Sequence, residues 1–372
     1  MSLHALTVPK WGLAMEAGTL TGWLVSEGDT VSVGQEVAEI ETSKIANVLE
    51  AQNGGVLRRR VAEEGDVKAV GALLGVLSDA GEAEAEVEAF IADYVARVAT
   101  EVASAVAAPV AETIKVGGRT IRFLRAPTAS ETPPAPLVLI HGFGGDHRNW
   151  MLNQGVLAAD RDVYAIDLAG HGGSTKDVGD GGLDTLAADV TAWLDAIGAP
   201  SAHLVGHSMG AGVALSLTLA HPGRVLSLTG ICGAGFGGVL NRDYVEGFVA
   251  AKKVRDLKPV VGLLFADPRM ATREMLADLI ASTRIDGVPA ALRLLIDNAL
   301  AADRLAALHD RLGEVTVPVL SIFGSEDRVM PAPTVDALPG EVLVIEGAGH
   351  MPHLEAAATV NAWIAAFIGR HD

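Results

Sequence analysis

The sequence predicts two domains of different class in one chain: a small all-β unit, then a larger α/β unit built on a mostly parallel sheet. Three observations carry this prediction. Residues 1–78 alternate short apolar and polar positions between Gly-Asp, Asn-Gly and Gly-Gly turns, as antiparallel hairpins do. From Leu137 to Ile345 short apolar runs alternate with helical periodicities, as strands covered by helices on both faces do. Between the two, the composition shifts to Ala, Glu and Val over Asp79 to Glu112. A chain of 372 residues that is 49% apolar is long enough for two or three such cores.

Composition also removes several classes of function. The formal net charge is −18 and neither end carries a compensating basic tail, so nucleic acid and anionic membrane surfaces are excluded as main partners. Cys232 is the sole cysteine, which rules out an internal disulfide framework. The opening residues MSLHALTVPK lack an apolar signal core, and no run is long enough to span a membrane, so a cytoplasmic location is expected.

The first domain is organised around EIETSKIAN, Glu39 to Asn47. Val37, Ile40, Ile45 and Val48 supply apolar positions on either side, while Glu41, Thr42, Ser43 and Asn47 are polar, which places Lys44 at the tip of a tight hairpin. The pair Gly28-Asp29 recurs at Gly65-Asp66, an internal repeat with Lys44 near its pseudo-symmetric centre. Two small antiparallel sheets facing each other fit this pattern. The residues alone leave two readings open, a merely solvated lysine or an exposed attachment point.

Residues 5 to 78 resemble the lipoyl domain of dihydrolipoyl acyltransferases, the swinging-arm components of 2-oxoacid and acetoin dehydrogenase complexes. The likeness runs through VPKWGLAMEAGTLTGWLVSEGDTV (Val8 to Val31) and IETSKIANVLEAQNGGVL (Ile40 to Leu57). It implies that a lipoyl-attaching enzyme joins lipoate to Lys44 in amide linkage. Biotinyl domains share the fold but flank their lysine with methionines, so Ser43 and Ile45 favour lipoyl. A long arm on a rigid turn visits several active sites at high effective concentration.

The segment 79–112 reads either as a flexible acidic linker or as something more ordered. Val87, Phe90, Ile91, Tyr94, Val95, Val98 and Val102 fall at steps of three and four, predicting an amphipathic helix over about 86–106, with Glu88, Asp93, Arg97 and Glu101 opposite. Its apolar stripe is expected to bury against the large domain or a partner subunit, as a docking or self-association helix. Arg58, Arg59 and Arg60 read as an exposed strand.

From residue 113 to 372 the pattern is α/β. IKVGGRTIRFLRA (Ile114 to Ala126) is a hairpin turning at Gly117-Gly118. Strands follow at Leu137 to Ile140, Asp162 to Ile166, Ala202 to Val205, Val225 to Ile231, Val319 to Phe323 and Val342 to Ile345. Between them, residues 233–311 show helical patterns such as REMLADLIAS and predict a helical cap.

GHSMG, with Ser208 at its centre, lies between a strand and an Ala-rich helix, the setting of a sharp turn that presents a serine nucleophile. A serine hydroxyl needs a base, and the base an orienting acid. PVLSIFGSEDRVMP offers Asp327 just past a late strand, ahead of Glu326. VLVIEGAGHMPHLE offers His350, ahead of His353. Two backbone donors are needed for an oxyanion, one from Met209 and the other from Phe143 in HGFGG. His141, His147, His171 and His207 read as bracing residues, without metal-ligand spacing. AKKVRDLKP places Lys252, Lys253, Arg255 and Lys258 on the cap, either as a solvated face or as an attraction for phosphates or the acidic first domain.

With HGFGG, DxxGHGxS, GHSMG, GSEDRVMP and GAGHMPHLE in order, residues 113–372 resemble the α/β-hydrolase fold. A lipoyl domain fused to such a fold resembles the acetyltransferase component of bacterial acetoin dehydrogenase complexes. That resemblance implies lipoyl-dependent transfer of acetyl to coenzyme A through Ser208, His350 and Asp327. It also implies partnership with a thiamine-diphosphate-dependent acetoin-cleaving enzyme and with dihydrolipoyl dehydrogenase, within a homo-oligomer. The chain departs from common acyltransferases in lacking a His-x-x-x-Asp-Gly sequence and a recognisable peripheral-subunit-binding domain. Two other readings stay open: an esterase or thioesterase with an attached carrier domain, and a scaffold whose serine site is not the transferase.

Overall fold

In a computed structural model the structure describes residues 3–9, 17–41, 46–78, 83–103, 110–334 and 338–372. It divides into two compact units, residues 1–105 and 106–372.

The first unit begins with β1 (Leu3–Thr7), β2 (Ala17–Trp23), β3 (Thr30–Val31) and β4 (Glu36–Glu41). It continues with β5 (Ala46–Glu50), β6 (Gly55–Arg60), β7 (Val67–Ala69) and β8 (Leu73–Ser78). These form two four-stranded antiparallel sheets, in the orders β1-β8-β6-β3 and β5-β4-β2-β7. Leu20, Val37, Ile40 and Leu49 from one sheet and Leu6, Leu57, Leu74 and Leu77 from the other share one core. The register of β5 turns Leu49 inward and leaves Val48 exposed, so the inward position after the hairpin is one residue later than the sequence suggests.

The Gly-Asp repeat is structural. The Gly28 N–H donates to Leu57 O and the Gly65 N–H to Leu20 O, both at 2.7 Å, while Leu57 and Leu20 donate back to the carbonyls of Asp29 and Asp66. Both glycines sit at positive φ, 92° and 95°, where a side chain would strain the turn. Each aspartate carboxylate then accepts from the amide three residues before it, Ser26 or Glu63.

A 20-residue helix, α1 (Glu84–Ala103), follows. The first residues of its apolar stripe pack on the sheet of its own unit, while Val95 is exposed. Val87 is fully buried with Leu73 and Val76 of β8, and Phe90, Ile91 and Tyr94 pack on the same cluster as Leu3 and Ala5. The Tyr94 hydroxyl donates to Gly71 O at 3.1 Å. The arginine run on β6 is likewise not a free charged face: Arg59 pairs with Glu84 and, at 2.7 Å, with Glu88, and Arg58 lies 3.5 Å from Glu84. Arg60 covers the Trp23 ring at 5.4 Å.

The second unit opens with β9 (Val110–Val116), β10 (Arg119–Ala126), β11 (Leu137–Ile140), α2 (Gln154–Leu157), β12 (Val163–Ile166) and α3 (Leu183–Ala196). Next come β13 (Ala202–His207), α4 (Met209–Ala220) and β14 (Val225–Ile231). Five helices follow: α5 (Arg242–Ala250), α6 (Val254–Val261), α7 (Arg273–Ser282), α8 (Val288–Asp297) and α9 (Ala302–Asp310). The chain finishes with β15 (Val319–Gly324), β16 (Glu341–Ile345), α10 (Pro352–Glu355) and α11 (Ala357–Ile368).

The eight strands run in the order β16-β15-β14-β13-β11-β12-β10-β9, parallel except where β10 meets β9 and β12. Alternate residues face opposite cores, as strand geometry requires. Leu137 and Leu139 pack with Leu157 of α2 and Val360, Ile364 and Phe367 of α11, whereas Val138 and Ile140 pack with α3 and α4. Helix α4 is buried almost throughout, consistent with its lack of a polar face. Among the described residues no helix is long and apolar enough to cross a membrane.

Candidate active site

The strand β13 and helix α4 meet at Ser208, whose backbone stands at φ 53°, ψ −119°. A non-glycine residue seldom adopts that conformation, and here the surroundings enforce it. A Cβ on Gly206 would lie 2.4 Å from Ala211 Cα, and one on Gly210 would lie 2.2 Å from Ile140 O. The two glycines thus let strand and helix cross at contact distance. The Ser208 N–H donates to Ile231 O at 2.9 Å, and its carbonyl accepts from Ala211 and Ala234, which fixes the turn. Ser208 is 6% exposed.

Sequence reasoning proposed Asp327 and His350, and the structure brings them together: His350 Nδ1–H donates to Asp327 Oδ2 at 2.7 Å. The other carboxylate oxygen accepts from the amides of Val329 and Met330, both at 2.8 Å. Burial alone would raise the Asp327 carboxyl, but the charge and hydrogen bond of His350 and the two amides hold it below its ordinary range. His350 Nε2 is buried and has no hydrogen-bond partner, so it is the nitrogen left to face a reacting group. The alternatives are placed differently. Glu326 is exposed. His353 is fully buried between Trp150 and His207, with neither ring nitrogen hydrogen-bonded, and burial pushes its pKa down to about 3.

The loop bearing Phe143 is built by histidines. The Leu168 N–H donates to His141 Nε2 at 3.0 Å, so His141 Nδ1–H donates to Gly142 O at 2.8 Å. Gly142 O also accepts from Gly145, which turns the Phe143 N–H the opposite way across the same peptide plane. Neither the Phe143 nor the Met209 amide donates to a protein carbonyl among the described residues. His171 accepts from Gly144 through Nε2, and burial followed by the neighbouring His141 pushes its pKa down to about 3. The His147 backbone and ring both donate to Asp167, which also accepts from Gly173. His207 Nε2–H donates to His350 O at 2.8 Å. All four histidines therefore brace the loops around Ser208.

Cys232 lies behind the acid, fully buried, with its sulfur within 4.8 Å of ligand atoms of both Asp327 and His350. Above the site Phe248 of α5 covers Gly144 and meets the Phe143 ring edge-on at 5.8 Å. A groove beside Phe248 is lined by Val249, Lys252, Thr283, Arg284 and Leu292, and Thr283 and Leu292 also wall a crevice that reaches Gly144 and His171. The Arg284 guanidinium donates to Lys252 O, which brings those two cations to one rim.

Two residues were missed by sequence reasoning, Glu355 and Arg328. Both stand within motifs already noted, but each has partners far off in sequence, between residues 262 and 266. Glu355 accepts from Gly349 N and, with its other oxygen, from Ala266 N, both at 2.8 Å. Arg328 donates to the carbonyls of Gly262 and Phe265.

Lys44 lies outside the described residues. The described strands on either side of it pair Glu41 with Ala46.

Comparison with known proteins places this geometry. The family described as α/β hydrolase fold matches residues 135–357, and the family described as biotin-requiring enzyme, which spans biotinyl and lipoyl domains, matches residues 4–77. A meta-cleavage product hydrolase from Pseudomonas fluorescens has the same fold as the second unit, with a TM-score of 0.63 at 18% identity over 70% of this chain and 98% of its own. The dihydrolipoyllysine-residue acetyltransferase component of the acetoin cleaving system of Pseudomonas putida is 44% identical over 99% of both chains. The Cupriavidus necator protein of the same description is 41% identical over 98% of this chain and 97% of its own. With both domains matched and the likeness running end to end, the chain belongs to the family of dihydrolipoyllysine-residue acetyltransferase components of acetoin cleaving systems.

Proposed function

We propose that the chain moves an acetyl group from a dihydrolipoyl arm on Lys44 to the thiol of coenzyme A, with Ser208 as the intermediate carrier. The observation that carries this reading is the unpartnered, buried Nε2 of His350, whose opposite nitrogen is committed to Asp327. The lipoyl arm, when attached, supplies the acyl group as a thioester and a thiol leaving group.

Ser208 Oγ attacks the acyl carbon while His350 Nε2 takes the hydroxyl proton, and Asp327 stabilises the resulting imidazolium. The Phe143 and Met209 amides receive the oxyanion. Collapse breaks the carbon–sulfur bond, His350 returns the proton to the departing sulfur, and Ser208 is left as its acetyl ester. The thiol of coenzyme A then attacks that ester as His350 takes the thiol proton, and the same two amides stabilise the second oxyanion. Acetyl-coenzyme A departs, and the proton returns to Ser208. This reading requires Phe248, which packs edge-on against Phe143, and the cap to exclude water from the acetyl-serine. Lys252 and Arg284, at the rim of the groove beside Phe248, suit the phosphates of the acceptor.

This reading also assigns a lipoyl-attaching enzyme, a thiamine-diphosphate-dependent acetoin-cleaving enzyme and dihydrolipoyl dehydrogenase as partners, in the cytoplasm, with the chain itself a homo-oligomer. The test is Ser208→Ala in a reconstituted system: acetyl-coenzyme A formation is expected to fall at least about 1,000-fold. Intact formation would place transfer elsewhere, and free acetate as the product of the unaltered chain would favour a hydrolase.

A further inference from the structure

A single stretch of the cap, residues 262–266, is gripped from both sides by the loops that carry the acid and the base. On its carbonyl side the Arg328 guanidinium, one residue past Asp327, donates to Gly262 O at 2.8 Å and to Phe265 O. On its amide side the Glu355 carboxylate accepts from Ala266 N with one oxygen and from Gly349 N, one residue before His350, with the other. Between these grips the His350 N–H donates to Leu264 O at 2.8 Å. The approach is so close that a Cβ on Gly349 would lie 2.6 Å from Ala266 N. The two loops are also joined to each other, since Glu326 N–H donates to Ala348 O at 2.9 Å.

We infer that Glu355 and Arg328 are positioning residues that make the aim of His350 depend on how the cap is seated. This rests on the proposed roles of Ser208, His350 and Asp327. The physical ground is that a carboxylate shared between two amides ties two backbones with charge-assisted bonds, each roughly twice as strong as a neutral one. Neither backbone then shifts alone. Among the described residues Glu355 is the base loop's only side-chain grip on the cap, and His207 Nε2–H to His350 O ties the same loop to the nucleophile strand. His350 is thus suspended between the strand that ends at Ser208 and the cap that covers it. A group entering beneath the cap that displaced residues 262–266 would move the imidazole with them, so cap seating and Ser208 reactivity form one coupled step.

The experiment measures hydrolysis of p-nitrophenyl acetate by the full chain, normalised to the number of serines titrated by a fluorophosphonate, with Ser208→Ala as the blank. Glu355→Gln keeps one acceptor oxygen but turns an amide N–H toward the other donor. It is expected to lower kcat about 10- to 100-fold while KM changes less than about threefold. Glu355→Asp, too short to span both amides, is expected to fail to rescue. Arg328→Gln is the independent arm, and combined with Glu355→Gln it is expected to add less than its own separate effect, because both act on one segment. Unchanged kcat per titrated serine in both single variants, with only a lower unfolding temperature, would overturn the inference. Absence of any fluorophosphonate reaction in the unaltered chain would instead sink the nucleophile reading on which it rests.

Discussion

Gly142 passes so close to Ser208 that a methyl group on it would stand 3.0 Å from the serine Cβ and 2.9 Å from His207 Nδ1. The loop that presents the Phe143 amide is therefore set against the nucleophile by backbone contact. Gly142→Ala has to push either the loop or the serine away by a few tenths of an ångström to an ångström. We expect kcat for a small ester to fall about 100-fold, as misplacement on that scale does, with fluorophosphonate labelling slowed in parallel. Unchanged labelling would mean that the loop does not set the serine's surroundings.

The Asp327–His350 pair predicts a second loss. Asp327→Asn preserves size, but the Val329 and Met330 amides hold its one oxygen, so its NH2 faces His350 Nδ1 and the imidazole loses the acceptor that fixes its tautomer. A fall of about 10,000-fold in kcat is expected, measured at neutral pH on the acetyl ester. A loss of less than about tenfold would assign the orienting role to another group.

Helix α1 predicts a stability effect in the first unit. Val87 is fully buried against Leu73 and Val76, so Val87→Ala removes packed methyl groups from a small core. The expected cost is about 1–3 kcal/mol, read as a lower midpoint for urea unfolding of that unit. Glu88→Ala, which removes a half-exposed ion pair with Arg59, is expected to cost less than about 1 kcal/mol.

The rim at Lys252 and Arg284 predicts a kinetic signature for the acceptor. Reversing both charges is expected to raise KM for coenzyme A about tenfold or more, leave hydrolysis of p-nitrophenyl acetate within about twofold, and weaken the dependence of KM on salt. Equal KM values for the double variant and the unaltered chain would return both residues to the status of solvated surface.

Buried neutral histidines make the second unit sensitive to acid. His353 protonates near 3 when folded, against an ordinary value of 6.5. Between those values the unfolded chain binds the extra proton, so stability falls as pH drops below about 6.5, by about 1.4 kcal/mol per pH unit for each such ring. His171 behaves in the same way. His353→Leu is expected to reduce the loss of unfolding free energy between pH 7 and pH 5 by about 2 kcal/mol in urea titrations. An identical loss in the variant would show that His353 does not contribute.

Much of this architecture was legible in the sequence because it is local. Period-two alternation and Gly-Asp turns identify the small sheets, and GHSMG between a strand and an Ala-rich helix identifies the Ser208 turn before any contact is known. What was not legible is what depends on distant chain. The stripe of α1 is visible as Val87, Phe90, Ile91 and Tyr94, but periodicity says nothing about which surface covers it, and the surface proved to be β8 of its own unit. Arg58 and Arg59 read as part of an exposed strand because their partners, Glu84 and Glu88, are on a different element. Glu355 and Ala266 are 89 residues apart, and no spacing rule connects them.

One feature of the site bears on the chemistry of thiols. The chain's single sulfhydryl, Cys232, is wholly enclosed, and burial followed by the nearby Asp327 charge lifts its pKa well above the ordinary value. Exchange with a disulfide needs an accessible thiolate, and this residue offers neither access nor anion. Among its own side chains the protein therefore presents no thiol to be captured in a mixed disulfide, which suits the proposed transfer between two sulfurs through a serine oxygen.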